Sequence, residues 1–160
     1  MKKLLKITFT LIFTTILLLG FAMPLNQVGN WYQQFMPNLG GRQIKDITFI
    51  DSLTGYAVTS LPSLTDTAFI MKTTNSGDNW FINHRDSGFV FNRICFLNNN
   101  TGYAIGTHLT KTTNGGMNWD IVSTFIYYND MHVISKDTIF AAKSESLTGG
   151  VFRTTNGGAS

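Results

Sequence analysis

The sequence predicts an all-β protein built from repeated four-stranded antiparallel units. Three observations support this prediction: a recurring nine-residue box, matching strand-like segments upstream of each box, and no helical periodicity after residue 30. The boxes are Lys72–Trp80, Lys111–Trp119 and the incomplete Arg153–Ser160, and all three contain Thr-Thr-Asn-x-Gly. Their asparagines are 39 and 42 residues apart. Repeats of this length are typical of small stacked structural units.

The segments upstream of the boxes predict the strands of each unit. Apolar residues alternate at period two, as in Ile47 and Phe49, which is the pattern of a half-buried strand. A Gly-Tyr-Ala element with β-branched neighbours follows and favours a second strand. The Asn-x-Gly of each box predicts a tight hairpin turn between two further strands. At an offset of 47 residues, Ile44–Asp51 of the first unit aligns with Phe91–Asn98 of the second, and Thr54–Val58 aligns with Thr101–Ile105. At an offset of 37 residues from the second unit, the third unit aligns through Met131, Val133, Ile134, Thr138, Phe140 and Ala141.

These units define a partial β-propeller with blade units at 44–85, 91–124 and 129–160. The third box stops one residue before its expected tryptophan. A closed propeller has about four to eight four-stranded blades, so we expect residues 23–160 to be the first part of a longer ring. Trp31 aligns with the box tryptophans. Segment 30–36 is therefore predicted to be a closing strand for a blade completed by the far end of the chain.

The distance between the Gly-Tyr-Ala element and the box differs from unit to unit. The variable segments are 59–67 in the first unit and 143–149 in the third. Insertions of this kind are tolerated in surface loops, and in repeat folds they collect on one face that often binds partners. We expect these two segments to make the partner contacts.

The first 22 residues predict a secretory signal peptide. Lys2, Lys3 and Lys6 precede the apolar run Ile7–Ala22, which ends in small residues. An uncleaved membrane anchor is the alternative, but the run is shorter than the roughly 20 residues that a spanning helix needs. The prediction is an exported protein, periplasmic, at the cell surface or extracellular, without a membrane span after cleavage.

The net charge and the single cysteine of the chain further limit the classes of function that fit the sequence. The whole chain has a formal net charge of +3, and the predicted mature part has nine basic and nine acidic residues. This balance argues against nucleic-acid binding, which usually shows a basic stripe. Cys95 has no partner cysteine for an internal disulfide and is interpreted as a small buried apolar side chain.

No constellation of catalytic or metal-binding residues emerges from the spacing. His84, His108 and His132 lack metal-ligand spacing and fall at different points of different units, so we expect no shared site, metal or cofactor. His84 and Asp86 are interpreted as loop residues. Lys72, Lys111 and Arg153 precede the box threonine in each unit; they form either a ring of cations for an anionic partner or, as we favour, solvated strand edges.

The box pattern Thr-x-Asn-x-Gly-x-x-Trp resembles the Asp-box, also called the bacterial neuraminidase repeat. The full unit is similar to the photosystem II assembly and stability factor type of β-propeller, which is typically seven-bladed, and the resemblance covers roughly residues 44–160. In that family the box is a fold element and not an active site. The resemblance therefore implies structural roles for Thr73, Asn75, Gly77, Trp80, Thr112, Asn114, Gly116, Trp119, Thr154, Asn156 and Gly158.

The same resemblance implies an exported, non-enzymatic scaffold or assembly factor whose partner is a protein, with carbohydrate as the second choice. The alternative is a sialidase-like glycoside hydrolase or a carbohydrate-binding propeller, since sialidases also contain Asp-boxes. Phe91–Ile94 is similar to the sialidase Phe-Arg-Ile-Pro motif but lacks its order and its proline. A glycosidase needs a pair of carboxyl groups, and the chain has a single glutamate, Glu145.

Overall fold

The computed structural model describes residues 31–60, 66–87, 89–124, 127–144 and 149–159. Contacts divide the chain into Met1–Gln33 and Gln34–Ser160, and the architecture below is that of the second unit. The predicted signal peptide 1–22 and Glu145 lie outside the described residues. Within those described ranges, no helix is both long and apolar enough to cross a bilayer.

The described residues form three antiparallel sheets, which we call blades 1, 2 and 3. Their strand orders are β1-β2-β3-β4, β5-β6-β7-β8 and β9-β10-β11, so each strand pairs with its neighbours in the chain. This meander confirms the predicted all-β fold of four-stranded antiparallel blades. The strands are β1 Ile44–Phe49, β2 Gly55–Thr59, β3 Thr67–Thr73, β4 Phe81–Ser87, β5 Phe91–Phe96, β6 Gly102–Gly106, β7 Leu109–Thr112, β8 Asp120–Ser123, β9 Asp130–Val133, β10 Ile139–Lys143 and β11 Gly150–Thr154.

The hydrophobic core lies between the blades. Strand β2 is buried along its whole length, because its alternate side chains reach two different clusters. Tyr56 and Val58 pack towards blade 2, where they meet Phe91 and Trp119. Ala57 joins a cluster on the opposite flank of blade 1. The clusters are Tyr56, Val58, Ala68, Ile70, Phe91, Ile94, Ala104 and Trp119; Tyr103, Ile105, Leu109, Met131, Ile139 and Ala141; and Ala57, Phe69, Met71 and Trp80.

Segment 34–39 lies against blade 1. Met36 and Leu39 pack on the cluster that contains Trp80. Phe35 forms an isolated parallel bridge with Asn79, and its carbonyl accepts a hydrogen bond from the Trp80 amide. The function of 30–36 as a ring-closing strand stays a prediction.

A glycine and two aromatic rings recur at the start of the second strand in blades 1 and 2. Gly102 pairs with Phe96 across the sheet, and a Cβ on Gly102 would lie 2.6 Å from the Phe96 ring. The Trp119 ring packs edge-on against the Phe96 ring, and the two ring centres are 6.0 Å apart. Gly55, Phe49 and Trp80 repeat the arrangement in blade 1. The missing side chain therefore lets an aromatic ring cover the backbone.

The antiparallel order sends the connections to two opposite faces. The loop face holds the starts of β1, β5 and β9 together with the β2–β3, β6–β7 and β10–β11 connections. The box face holds the boxes and the tight turns after β1, β5 and β9. Strand β5 contacts β1 of blade 1 and β9 of blade 3, and these three strands form the inner row of the blades. Thr59 and Lys143, where the two variable segments begin, lie at the loop face, and residues 61–65 and 145–148 of these segments lie outside the described residues.

The glycine–aromatic packing predicts that Gly102→Ala is destabilising. The new methyl group would collide with the Phe96 ring, and the repacking should lower the free energy of unfolding by about 1–3 kcal/mol. Gly150→Ala is the matched control, because its nearest neighbour would be 3.8 Å away, which is an ordinary contact. Urea denaturation measures both variants. Equal effects of the two substitutions would contradict the packing argument.

Candidate functional site

The threonine of each box forms the same hydrogen bonds. In blade 2, the Thr112 hydroxyl donates to Asn114 Oδ1 at 3.0 Å and accepts from the amides of Asn114 and Gly116. Asn114 Oδ1 also accepts from the Asn118 amide at 2.9 Å. The threonine thus satisfies donors inside the turn, and the glycine supplies a positive φ of 79°. The same threonine bonds occur at Thr73, Asn75 and Gly77 and at Thr154, Asn156 and Gly158.

Box 2 also contacts blade 1. The carbonyl of Gly115 in box 2 accepts hydrogen bonds from the Tyr56 hydroxyl at 2.6 Å and from Lys72 Nζ at 3.0 Å, both in blade 1. The Trp119 indole donates to Asn83 of blade 1 at 3.2 Å. These bonds cross the interface between the blades and give the box residues architectural contacts. Their assignment as Asp-boxes stays a prediction.

The cations that precede the box threonines lie over aromatic rings. Lys72 lies 5.1 Å from the centre of the Tyr56 ring, and Lys111 lies 5.3 Å from that of Tyr103. Our interpretation of these lysines as strand edges is wrong, because β3 and β7 lie inside their sheets. Cross-strand pairing puts each cation opposite the aromatic residue, where the ring attracts it.

Two histidines and an aspartate meet between blades 1 and 2. Asp86 Oδ2 lies 2.9 Å from His108 Nε2 and 3.8 Å from His84 Nε2. His108 is fully buried, with its ring 4.3 Å from that of Phe89. The interpretation that the histidines share no site and that His84 and Asp86 lie in a loop is wrong. Both residues belong to strand β4, and stacking of the blades brings the β6–β7 turn against it.

The electrostatics of this cluster favour an ionised aspartate. Burial raises the pKa of Asp86, but the contacts with His108 and His84 outweigh burial and hold this pKa well below its ordinary value of 3.8. His132 lies apart on β9. Across the described stretches, no three histidine, cysteine or acidic side chains are grouped as metal ligands would be.

Charged residues at one repeat position bridge the inner strands. Asp46 on β1, Arg93 on β5 and Asp130 on β9 are equivalent in the repeat. Arg93 Nη1 donates to Asp46 Oδ1 at 3.3 Å, and its Nε lies 2.6 Å from Asp130 Oδ1. Asp46 Oδ2 also accepts from the Ile94 amide at 2.9 Å. The arginine therefore links three blades at the loop face.

A polar cleft lies beside this bridge, and we call it the inner-strand site. It has a volume of about 330 Å³. Its rim carries a second set of repeat-equivalent residues, Lys45, Asn92 and Asn129, together with Arg93 and Asp130. Sequence reasoning missed this set, although the offsets that align Asp46 with Arg93 and Asp130 align their preceding residues as well.

Cys95 lies on β5, two residues after Arg93. Burial, reinforced by the negative charge of Asp46, raises the pKa of the thiol to about 11. At neutral pH the thiol is therefore almost entirely protonated and a poor nucleophile. This agrees with its interpretation as a small apolar side chain.

No protein-family model matches the chain, and no curated protein matches it either. Solved structures match at the level of fold. One, described as YCF48 bound to D1 peptide, has 22% sequence identity and a TM-score of 0.59; the match covers 74% of this chain and 39% of that one. YCF48 from Cyanidioschyzon merolae has 18% identity and a TM-score of 0.57 over 74% and 36% of the two chains.

A third matching structure is an enzyme. The GH74 enzyme of Niastella koreensis has 16% identity and a TM-score of 0.57; the match covers 73% of this chain and 22% of the enzyme. The chain therefore spans about two fifths of the YCF48 structures and less of the enzyme. These likenesses show a propeller fold.

The box hydrogen bonds predict a stability loss in Thr112→Val. Valine keeps the shape of threonine but leaves the buried Gly116 amide without an acceptor, which should cost about 1–3 kcal/mol. Thr113→Val, at the exposed neighbouring position, is the control and should change stability by no more than about 0.5 kcal/mol. Urea denaturation distinguishes the two. A mild effect at both positions would show that the threonine bond is dispensable.

The cluster at Asp86 predicts a pH-dependent stability. Because folding lowers the pKa of Asp86, its contribution is complete above about pH 5 and is lost as the pH falls through and below the unfolded value. The free energy of unfolding should therefore fall less between about pH 6 and pH 3 in Asp86→Asn than in the wild type, and the difference should be roughly 1–2 kcal/mol. Thermal unfolding across this range provides the measurement. A variant with an unchanged pH slope would refute the pairing.

Proposed function

We propose that this chain belongs to an exported, non-enzymatic β-propeller that binds polypeptide partners at its loop face, in the manner of an assembly or scaffold factor similar to YCF48. The observation that carries the proposal is the inner-strand site. There, Lys45, Asn92 and Asn129 take equivalent places on three adjacent blades around one cleft.

The side chains of this site suit a peptide backbone. The Asn92 amide nitrogen donates to the Tyr128 carbonyl at 2.8 Å, and the Asn92 Oδ1 is an acceptor that a ligand can use. Asn129 Oδ1 accepts from the Ser144 amide at 2.7 Å, and its NH₂ group remains a donor. Lys45 adds a positive charge. A row of alternating donors and acceptors matches the groups of an extended chain.

The surroundings of the site support recognition of a macromolecule. Strands β2 and β10 end at the same face, at Thr59 and Lys143, and the sequence segments that follow them differ in length. Loops with a variable length on a rigid scaffold are the usual place for specificity. The YCF48 structure with a bound D1 peptide shares this fold and supports a peptide as the ligand class. Export is proposed from the signal-peptide pattern of residues 1–22.

A glycoside hydrolase is the second candidate, because the GH74 enzyme shares the fold. Inverting glycosidases need two carboxyl groups about 6.5–9.5 Å apart, and retaining ones about 5–5.5 Å. The two acidic groups at the inner strands, Asp46 and Asp130, are both bound by Arg93. Because the Arg93 guanidinium binds both carboxylates, these aspartates are better suited to a structural role than to acid–base catalysis.

A displayed library of twelve-residue peptides tests the binding proposal. Peptides selected on the wild-type protein should bind Lys45→Glu at least about tenfold more weakly, because the substitution reverses the charge at the cleft. Lys136→Glu is the matched control, with the same charge change on an exposed side chain of the box face, and it should stay within about twofold of wild type. Isothermal calorimetry gives both affinities.

Two results would contradict the proposal. One is a set of selected peptides whose affinity is the same for the Lys45 and Lys136 variants. The other is turnover of a chromogenic glycoside that a single substitution, such as Asp130→Asn, abolishes, since this would establish the glycosidase instead.

A further inference from the structure

Box 2 contains the dipeptide Asn114–Gly115 inside its turn. An asparagine side chain that precedes glycine is open to attack by the glycine amide nitrogen, because glycine has no Cβ to hinder the approach. The attack closes a cyclic imide and releases ammonia. Asn114 is half-buried, so solvent reaches the turn. Whether the reaction proceeds in this protein depends on the hydrogen bonds that hold the two reacting groups.

The folded box fixes the electrophile, which is the carboxamide carbon of Asn114. The oxygen of this carboxamide accepts hydrogen bonds from the Thr112 hydroxyl at 3.0 Å and from the Asn118 amide at 2.9 Å. Two bonds to one oxygen set the plane of the group. The carboxamide therefore cannot rotate to present its carbon to the next residue unless both bonds break.

The fold also holds the nucleophile. The Gly115 amide donates to the Asn100 carbonyl at 2.9 Å, and a nitrogen whose proton is bound in this way cannot attack until the bond breaks. Its acceptor lies in a turn that is itself fixed, because Asn98 Oδ1 accepts from the amides of Asn100 and Thr101, both at 2.9 Å. Imide closure in the native state would thus break several hydrogen bonds together, each of which stabilises the fold.

Box 1 has the same bonds around a different dipeptide, Asn75–Ser76. Asn75 Oδ1 accepts from the Thr73 hydroxyl at 2.9 Å and from the Asn79 amide at 3.0 Å. The Ser76 amide donates to the Leu53 carbonyl at 2.9 Å, as the glycine amide of box 2 does to its own neighbouring turn. The two folded boxes therefore protect their asparagines alike. They differ in the unfolded chain, where the serine side chain hinders the attack and glycine does not.

We propose that Asn114 is a deamidation site that the folded box closes and that unfolding opens. In the unfolded chain the Gly115 nitrogen bonds to the Asn114 Cγ, the Cγ–Nδ2 bond breaks, and ammonia leaves with the amide proton of Gly115. Water then hydrolyses one of the two imide C–N bonds, so that its hydroxyl goes to the carbonyl carbon and its proton to the nitrogen. The product is aspartate or isoaspartate, and the reaction needs no reactant besides water.

The two products differ in whether box 2 can form again. Aspartate keeps the length of the main chain, and it suits the box because, among the described residues, none accepts a hydrogen bond from Asn114 Nδ2. Isoaspartate adds a carbon atom to the main chain within the turn. The added atom displaces the Gly116 amide from Thr112 and the Gly115 amide from Asn100. Time spent unfolded therefore destroys box 2 irreversibly in part of the molecules.

Incubation of the whole protein at mildly alkaline pH, in buffer and in unfolding concentrations of urea, tests the proposal. Peptide mapping by mass spectrometry counts the exchange of NH₂ for OH at each asparagine. Asn114 should react at least about a hundredfold faster in urea than in the folded protein, because the reaction requires the open form. In urea it should also react several-fold faster than Asn75. A synthetic peptide of residues 110–120, with and without urea, gives the effect of urea on the chemistry itself.

Two variants keep the test decisive. Ser76→Gly gives box 1 the dipeptide of box 2 at a residue whose φ is 61°, which glycine adopts without strain. It should raise the rate at Asn75 in urea to that at Asn114 and leave the folded protein unreactive. Asn114→Asp carries the direct product and should unfold at the same urea concentration as the wild type. Chains that contain isoaspartate should unfold at a lower concentration.

Three results would overturn the proposal. The first is an equal rate of reaction at Asn114 in the folded and the unfolded protein. The second is an equal rate at Asn114 and Asn75 in urea, since glycine would then make no difference. The third is isoaspartate at residue 114 in protein that refolds to the stability of the wild type.

Discussion

The packing of each sheet on the next is the interaction on which the rest of this structure depends. Blades 1 and 2 share one hydrophobic cluster, in which Tyr56 and Ile70 of one sheet are buried against Phe91 and Trp119 of the other. Apolar burial stabilises by about 25 cal/mol per Å² removed from water, so the stability of such an array is a sum over neighbouring interfaces. The interface residues must recur, while loops that touch no neighbour vary in length. This constraint accounts for the pattern that makes the repeat visible.

Much of the fold follows from local chemistry that the sequence displays. The alternation at Ile47 and Phe49 and the Thr-Thr-Asn-x-Gly turns are short-range patterns, and the strands and box turns lie where these patterns predict them. The glycine before each tyrosine can also be explained from the sequence. A phenylalanine occurs six residues before Gly55 and before Gly102, and each ring covers its glycine.

Relations between blades could not be predicted in the same way. His84 and His108 fall at unrelated points of their repeats, and they meet only because the outer strand of blade 1 lies beside the β6–β7 turn of blade 2. The position of Lys72 inside its sheet depends on which strands pair, and the box pattern does not reveal this. The inner-strand site could be predicted from the sequence only in part. Its residues align in the repeat, but three blades must stand side by side before Lys45, Asn92 and Asn129 share a cleft.

The Gly115 carbonyl has a consequence for motion at the box face. Asn-Gly-Gly turns rearrange easily by rotation of a single peptide plane, because glycine tolerates both signs of φ. Here the oxygen of that plane has two lone pairs, and Tyr56 and Lys72 occupy both of them from the adjoining blade. Rotation of the plane would break two hydrogen bonds at once and leave a tyrosine hydroxyl without its acceptor. Hydrogen bonds from the neighbouring blade thus hold this glycine-rich turn in one conformation.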